Sequence, residues 1–394
     1  MMATAVLATL TGRDRPGVTA AFFAALAAHD VDVRDVEQVV IRDRMVLAVL
    51  LDLQGELSAL RSSVVSAAHA LGMECEVVAA EDSRAARRSA GRARSHVIVL
   101  GHPLRPGALS SVTQRIADLG GNIDSITQLS TEPVSAVELL VSTSDEAELR
   151  AALVQAAEDT GVDIAVEPAG LRRRAKRLVV LDVDSTLIQD EGIDVLAARA
   201  GVGEQVAHVT ARAMAGELDF TESLERRVAL LAGLPVDEVH AARDALRLTP
   251  GARTFVHTLR RLGFHVGVVS GGFTVFTDRF VAELGLDFAA ANELEVADGR
   301  LTGRLVGEVV DRSGKAKALA RFAEQFGVPL SQTVAVGDGA NDIDMLDAAG
   351  LGIAFNAKAA LRAAADTSVN VPYLDSVLFV LGISRDEIVE ASGN

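Results

Sequence analysis

The chain has no tryptophan, a single tyrosine and only 4% aromatic residues, so its core has to be built from Val, Leu, Ile and Ala. It has one cysteine, Cys75, which excludes an intrachain disulfide and any cysteine-based zinc or iron–sulfur cluster held by one chain. Basic residues are outnumbered: 38 Lys and Arg against 54 Asp and Glu leave a formal charge of −16. That balance argues against unaided binding to nucleic acid or to an anionic membrane. No apolar run approaches the ~20 residues of a membrane helix, and the eight histidines show no HExxH or paired spacing. The opening MMATAVLATLTGRDRPG has neither a basic start nor a signal-type cleavage region, so a soluble, cytoplasmic protein is expected. What is present is an ordinary globular mixture, 49% apolar and 23% charged. At roughly 150 residues per domain, 394 residues suggest two or three domains.

An internal repeat organises the first half. Arg15-Pro16-Gly17 recurs as Arg105-Pro106-Gly107, each after a short apolar run at 6–10 or 97–100. Helical spacing follows in both copies: Val18, Phe22 and Leu26 in the first, Leu109, Val112, Ile116 and Leu119 in the second. Strand-like alternation then covers 31–41 and 45–53, and again 123–129 and 134–141. A second helix (56–71; 145–159) and a last strand (75–79; 162–166) close each unit. The order is βαββαβ twice, which predicts two small ferredoxin-like domains, at 1–82 and 95–168. Two Arg-rich stretches, 83–95 and 171–177, read as solvated linkers.

From residue 177 to 394 the pattern changes. The apolar runs 178–182, 265–270, 333–338 and 350–355, separated by helical segments, predict buried parallel strands of a doubly wound α/β domain. In such folds the site forms beyond the carboxyl ends of the strands. Three runs end in a polar residue: Asp182, Ser270 and Asp338.

Each run carries a motif that is weak alone. Asp182-Val183-Asp184 places two carboxylates two positions apart at a strand end. Ser270-Gly271-Gly272 offers a hydroxyl and backbone amides, with glycines that let an anion approach. Lys315, in Ser313-Gly314-Lys315-Ala316, is not in a nucleotide P-loop, because Val309 stands where a glycine is needed and Ala316 where Ser or Thr is needed. Asp338, Asn341 and Asp342 gather carboxylates and an amide in a glycine-containing loop suited to a hard cation such as Mg²⁺.

Together the four motifs, in this order over about 178–370, resemble the haloacid dehalogenase superfamily of phosphohydrolases. The resemblance implies that Asp182 is the nucleophile that forms an aspartyl-phosphate. Asp184 would be the general acid and then base, through its side chain. Mg²⁺ would be held by the Asp182 carboxylate, the Asp184 backbone carbonyl and Asp338, with Asp342 a direct or water-mediated ligand. Ser270, Gly271, Lys315 and Asn341 would hold the phosphoryl group.

Between the first two motifs, about 192–249, lies a helical stretch resembling the small cap of one subclass, and it is similar to that of phosphoserine phosphatases. The resemblance implies that Glu191 meets a substrate ammonium and Arg227 its carboxylate, with Arg226 open as a one-residue alternative. It also implies that Met214 and Phe220 cover the site. The implied activity is Mg²⁺-dependent hydrolysis of phosphoserine, the last step of serine biosynthesis. Another small phosphomonoester, or an amino-acid sensor with a scaffold phosphatase-like domain, stays open as an alternative.

The tandem units resemble ACT domains, on the TGRDRPG run at 11–17. That implies an amino-acid effector near Asp14 and Gly17, with Gly107 the counterpart in the second copy, where Leu104 replaces Asp14. Their strand edges and apolar faces predict a homo-oligomer, a dimer in the first instance.

Overall fold

The computed structural model describes residues 3–80 and 93–392. The chain divides into two compact units, Met1–Gly91 and Arg92–Asn394. In the first, β1 (Thr4–Arg13), α1 (Val18–Leu26), β2 (Val31–Ile41), β3 (Arg44–Leu53), α2 (Leu57–Ala70) and β4 (Glu74–Ala79) follow one another. The antiparallel sheet has the order β2-β3-β1-β4. Alternation in β3 turns Met45, Leu47, Val49, Leu51 and Leu53 onto one buried face, where Phe22 and Val64 from the helices meet them.

The second unit opens with the same plan: β5 (Ala93–Gly101), α3 (Pro106–Asp118), β6 (Asn122–Ser130), β7 (Ser135–Thr143), α4 (Glu146–Thr160) and β8 (Asp163–Pro168), in the sheet order β6-β7-β5-β8. The repeats differ at their shared motif. Gly17 caps α1 with φ +92°, which favours glycine. Gly107 lies inside the first turn of α3, after Pro106, and nothing lies within 4 Å of a Cβ placed on it. The second helix thus begins earlier in the motif than the first, and a Cβ on Gly17 would likewise meet nothing within 4 Å.

The first linker, 83–95, lies outside the described residues up to 92, and its last three residues open β5. The second, 171–177, is not a solvated hinge. It contains the short helix α5 (Leu171–Arg174), and Lys176 is buried with Nζ donating to the carbonyls of Gly350 (2.5 Å) and Ser331 (3.2 Å). Arg173 pairs with Glu138 at 2.5 Å. At the start of β8, Asp163 accepts from both the backbone and side-chain amides of Asn370, each at 2.6 Å. Here the charges in the basic run are matched to carbonyls and carboxylates, which composition alone does not reveal.

The remainder is a seven-stranded sheet built from β9 (Leu178–Leu181), α6 (Gly192–Ala200), α7 (Gly203–Met214), α8 (Phe220–Ala229), α9 (Val236–Ala245), α10 (Ala252–Arg261), β10 (His265–Phe273), α11 (Thr274–Leu284), β11 (Phe288–Ala297), β12 (Arg300–Val306), α12 (Arg312–Gln325), β13 (Thr333–Gly337), α13 (Ile343–Ala348), β14 (Gly352–Phe355), α14 (Ala359–Ala364) and β15 (Thr367–Val369). The order is β12-β11-β10-β9-β13-β14-β15, parallel except for β12. Leu181 of β9 is level with Val268 on one side and Val336 on the other, so Asp182, Ser270 and Asp338 all lie just past the level of Leu181, at the carboxyl ends of this pairing. Helices α6–α9 fill the stretch expected to be the cap. Among the described residues no helix is long and apolar enough to cross a membrane.

The hairpin β11–β12 is absent from the sequence reading. It turns at Asp298-Gly299, both with positive φ, the pairing that a two-residue hairpin turn prefers. It supports the cap: Gly233 N donates to Leu301 O, Leu301 N to Leu234 O, and Val236 N to Gly299 O.

Candidate active site

The site starts from β9, four consecutive buried apolar residues whose pairing on both edges fixes where the strand stops. Asp182 follows directly, its N–H donating to Val336 O at 2.9 Å. The next residues, Val183–Leu187, fold back tightly, with Ile188 N donating to Val183 O at 2.9 Å. This reversal brings the Asp184 side chain to the same end of the sheet. Asp184 accepts from Gly192 N (2.6 Å) and from the Ser270 hydroxyl (3.3 Å). Ser270 Oγ in turn accepts from Gly272 N at 2.8 Å.

Lys315, in the first turn of α12, is fully buried; Asp311 caps that helix by accepting from Gly314 N at 2.7 Å. Its Nζ lies 2.7 Å from Asp182 Oδ1 and 2.7 Å from Asp342 Oδ1. The contact to Asp342 is a hydrogen bond, whereas the approach to Asp182 is at ion-pairing range but off the hydrogen-bond direction, so Asp182 Oδ1 is buried without a hydrogen-bond donor. Burial alone would push the Lys315 ammonium down, but Asp182 and Asp342 outweigh it and hold its pKa above the ordinary lysine value.

Asp342 is fully buried and its second oxygen accepts from Gly339 N at 3.0 Å. Gly337 makes room for it: a Cβ there would stand 2.4 Å from Asp342 Cγ. Asp182, Asp338 and Asp342 have carboxylate oxygens within 4.8 Å of one another. Burial, then the Asp342 charge, raises Asp182 well above the usual carboxylate range. Burial, then Asp342 and Glu191, pushes Asp338 up to about 7. Burial also raises Asp184, against the lowering effect of the Gly192 amide and Lys315. Three crowded carboxylates, one oxygen without a donor and a single ammonium form a site short of positive charge. The oxygen-only donor set fits a hard divalent cation.

Three comparisons bear on this arrangement. Residues 179–347 match the haloacid dehalogenase-like hydrolases, and 4–78 and 94–167 each match an ACT domain. The chain is 56% identical to the phosphoserine phosphatase of Streptomyces coelicolor over 391 residues, 98% of this chain and 94% of that one. It belongs to the phosphoserine phosphatase family. The phosphoserine phosphatase SerB2 of Mycobacterium tuberculosis is 54% identical over 392 residues, 98% of this chain and 95% of that one. A solved structure described as a phospho-aspartyl intermediate analogue of phosphoserine phosphatase superposes with a TM-score of 0.50 and 45% identity, covering 52% of this chain and 98% of that one.

In this phosphoserine phosphatase family member the cap carries the remaining expected residues. Glu191, exposed at the mouth of the site, precedes α6 and accepts from the Ser185 hydroxyl at 2.7 Å. Partial burial and then the nearby Asp184 raise its pKa, against the effect of the Ser185 bond. On α8, Arg227 is half-buried and feels Asp194, Glu191 and Asp184, whereas Arg226 points outward and pairs with Glu222 at 2.5 Å. Helical geometry thus separates the two adjacent arginines that sequence left open. Phe220 closes over the glycine loop, its Cζ only 2.9 Å from a Cβ placed on Gly271. Met214, expected to cover the site, ends α7 with 70% of its surface exposed. Asn341 stands half-buried in the acidic loop beside Gly339. In the first unit Asp14 is exposed and its N–H donates to Asp43 O at 2.8 Å.

Sequence reading missed Asn292. It is buried on β11, donates through Nδ2 to Gly271 O (2.9 Å), and accepts at Oδ1 from Val310 N (2.7 Å). It thereby ties the Ser270 loop to the segment leading into Lys315. Its only signal was a lone amide within the run Phe288-Ala289-Ala290-Ala291-Asn292.

Proposed function

We propose that the chain hydrolyses O-phospho-L-serine to L-serine and phosphate through an aspartyl-phosphate on Asp182. The observation that carries this reading is the geometry of two carboxylates at one strand end, Asp182 held against Lys315 and Asp184 held by Gly192 N and the Ser270 hydroxyl. Asp182 attacks phosphorus as the bond to the seryl oxygen breaks, and Asp184 gives its proton to that oxygen. Asp184 then takes a proton from the water that attacks the aspartyl-phosphate, releasing phosphate and restoring Asp182. Lys315, Ser270, the Gly271 amide and Asn341 surround the phosphoryl oxygens. At the amino-acid end, Glu191 offers a carboxylate to the ammonium and Arg227 a planar fork to the carboxylate.

Mg²⁺ fits the acidic cluster, with the Asp182, Asp338 and Asp342 carboxylates and the Asp184 carbonyl as ligands. Bound there, it would supply charge neutralisation between the nucleophile and an anionic phosphate. EDTA is therefore expected to abolish phosphate release and Mg²⁺ to restore it. Because Asp338 holds a proton up to about 7 in the metal-free protein, protons compete with the ion. The apparent Mg²⁺ affinity is expected to fall by up to about tenfold per pH unit below 7. Titrating activity against Mg²⁺ between pH 6 and 8 checks this; an affinity independent of pH would count against Asp338 as a ligand.

The substrate assignment is tested by comparing phosphoserine with phosphothreonine, phosphoethanolamine and p-nitrophenyl phosphate. Arg227→Ala is expected to raise the KM for phosphoserine by roughly 10- to 100-fold, the loss of a charge-assisted contact. Arg226→Ala is expected to stay within about twofold, since an exposed i,i+4 pair contributes only about 0.3–0.5 kcal/mol. Equal effects of the two substitutions would sink the recognition reading.

The ACT units support regulation by an amino acid, with Asp14 and Gly17 in the first unit as the candidate contact. Homo-oligomerisation, and a dimer in the first instance, is supported by the edge strand β2, where Val33, Val36, Val39 and Ile41 are exposed. The acidic net charge supports a soluble enzyme with no nucleic-acid partner.

A further inference from the structure

Among the described residues, four that are not glycine have a positive φ: Arg42, Ser185, Asp298 and Asn356. Arg42 and Asp298 sit in two-residue hairpin turns, and Asn356 is of a type that tolerates this region. Ser185 has no such reason. It lies between the catalytic carboxylates and the cap, at φ 55°, ψ 3°, where glycine would sit more comfortably. A strained residue retained next to a site points to something its side chain does there.

What the side chain does is specific. Ser185 N donates to Asp190 O at 3.4 Å, and its hydroxyl donates to Glu191 Oε1 at 2.7 Å. The next link is also fixed, because the Asp190 carboxylate accepts from Arg247 N (2.8 Å) and from its guanidinium (2.9 Å). The left-handed turn at Ser185 thus closes the loop on itself and aims a hydroxyl at one oxygen of Glu191. Among the described residues the Ser185 hydroxyl is the hydrogen-bond partner that orients the Glu191 carboxylate, and a carboxylate held in place beforehand spares the cost of ordering a side chain on binding.

We propose that Ser185 is a specificity-determining positioning residue, whose strained backbone is retained to hold Glu191 for the ammonium of the substrate. This rests on the reading of Glu191 given above. Glycine at 185 relieves the backbone while removing the hydroxymethyl side chain, and alanine removes the hydroxyl alone, so stability and specificity should move in opposite directions in the glycine variant.

The test compares Ser185→Gly, Ser185→Ala and Glu191→Gln, each assayed on phosphoserine and on p-nitrophenyl phosphate, with thermal unfolding. Ser185→Gly is expected to unfold at the wild-type temperature or above it and to raise the phosphoserine KM by about tenfold, the loss of one bond to a charged group. Its kcat, and its turnover of p-nitrophenyl phosphate, which has no ammonium, should stay within about twofold. Ser185→Ala should show the same KM change with a lower unfolding temperature, since it keeps the strain. A phosphoserine KM unchanged in Ser185→Gly while Glu191→Gln is costly overturns this inference alone. Parallel loss on both substrates also overturns it, because it marks a disturbed catalytic loop. If Glu191→Gln itself leaves the phosphoserine KM unchanged, this inference falls together with the recognition reading beneath it.

Discussion

Asp182→Asn is expected to reduce phosphate release from phosphoserine at least about a thousandfold while leaving the protein as stable as before or more so. Asparagine matches aspartate in shape but cannot form the acyl-phosphate bond. The stability half of the expectation comes from the crowding. Asp182 shares a crowded site with Asp338 and Asp342, and burial and the Asp342 charge both disfavour its ionised form. Removing that charge leaves Lys315 paired with Asp342 at 2.7 Å. Acid-quenched protein from a phosphoserine turnover should contain phosphoenzyme in the wild type and none in the variant. A variant that lost activity but still trapped phosphate on the chain would move the nucleophile elsewhere.

Lys315→Met has the largest expected cost to the fold. Its ammonium is wholly buried between two carboxylates, with neither partner open to water. Deleting one member of a buried charge cluster typically costs about 3–5 kcal/mol, because the charges left behind lose their compensation. For a domain of this size that lowers the unfolding temperature by roughly 10 °C. The loss should depend on pH, and its sign can be worked out. Asp182 is already raised with Lys315 in place, and without it would rise further. A carboxyl raised in the folded state binds protons there that the unfolded chain has released, so stability is lost as pH rises through the folded value. The variant should therefore be closer to wild type at pH 5–6 than at pH 8. A deficit independent of pH would attribute the cost to packing rather than charge.

The sequence was most informative where chemistry and strand ends coincide. Asp182, Ser270, Asp338 and Lys315 were each found because a polar residue interrupts an apolar run or opens a helix, and the fold does bring all four to one place. The alternation that revealed β3 and β7 works because one face of each sheet is buried and the other is not. Other features left weaker traces. Arg226 and Arg227 are equivalent on paper, and only the position of α8 above the loop separates them. Asn292 acts through its position on β11, a strand whose run of alanines carries little periodic signal. Asp298-Gly299 is a turn signal that the sequence does carry, between two strands with little alternation of their own. Lys176 and Arg173 misled because composition reports charge but not whether a carbonyl or carboxylate waits for it.

That last feature bears on where the protein can be divided. β8 and β15 are both edge strands, and they meet: the Thr367 hydroxyl donates to Ile164 O at 3.2 Å, while Asp163 grips Asn370. A fragment starting at Arg177, the boundary that composition suggests, would uncover the β15 edge and strip the amides of Asn370 of their acceptor. It would also leave the carbonyls of Ser331 and Gly350 without Lys176. For expression, crystallisation or domain exchange, the cut that keeps these contacts lies before β5, so that the phosphatase carries the second repeat with it.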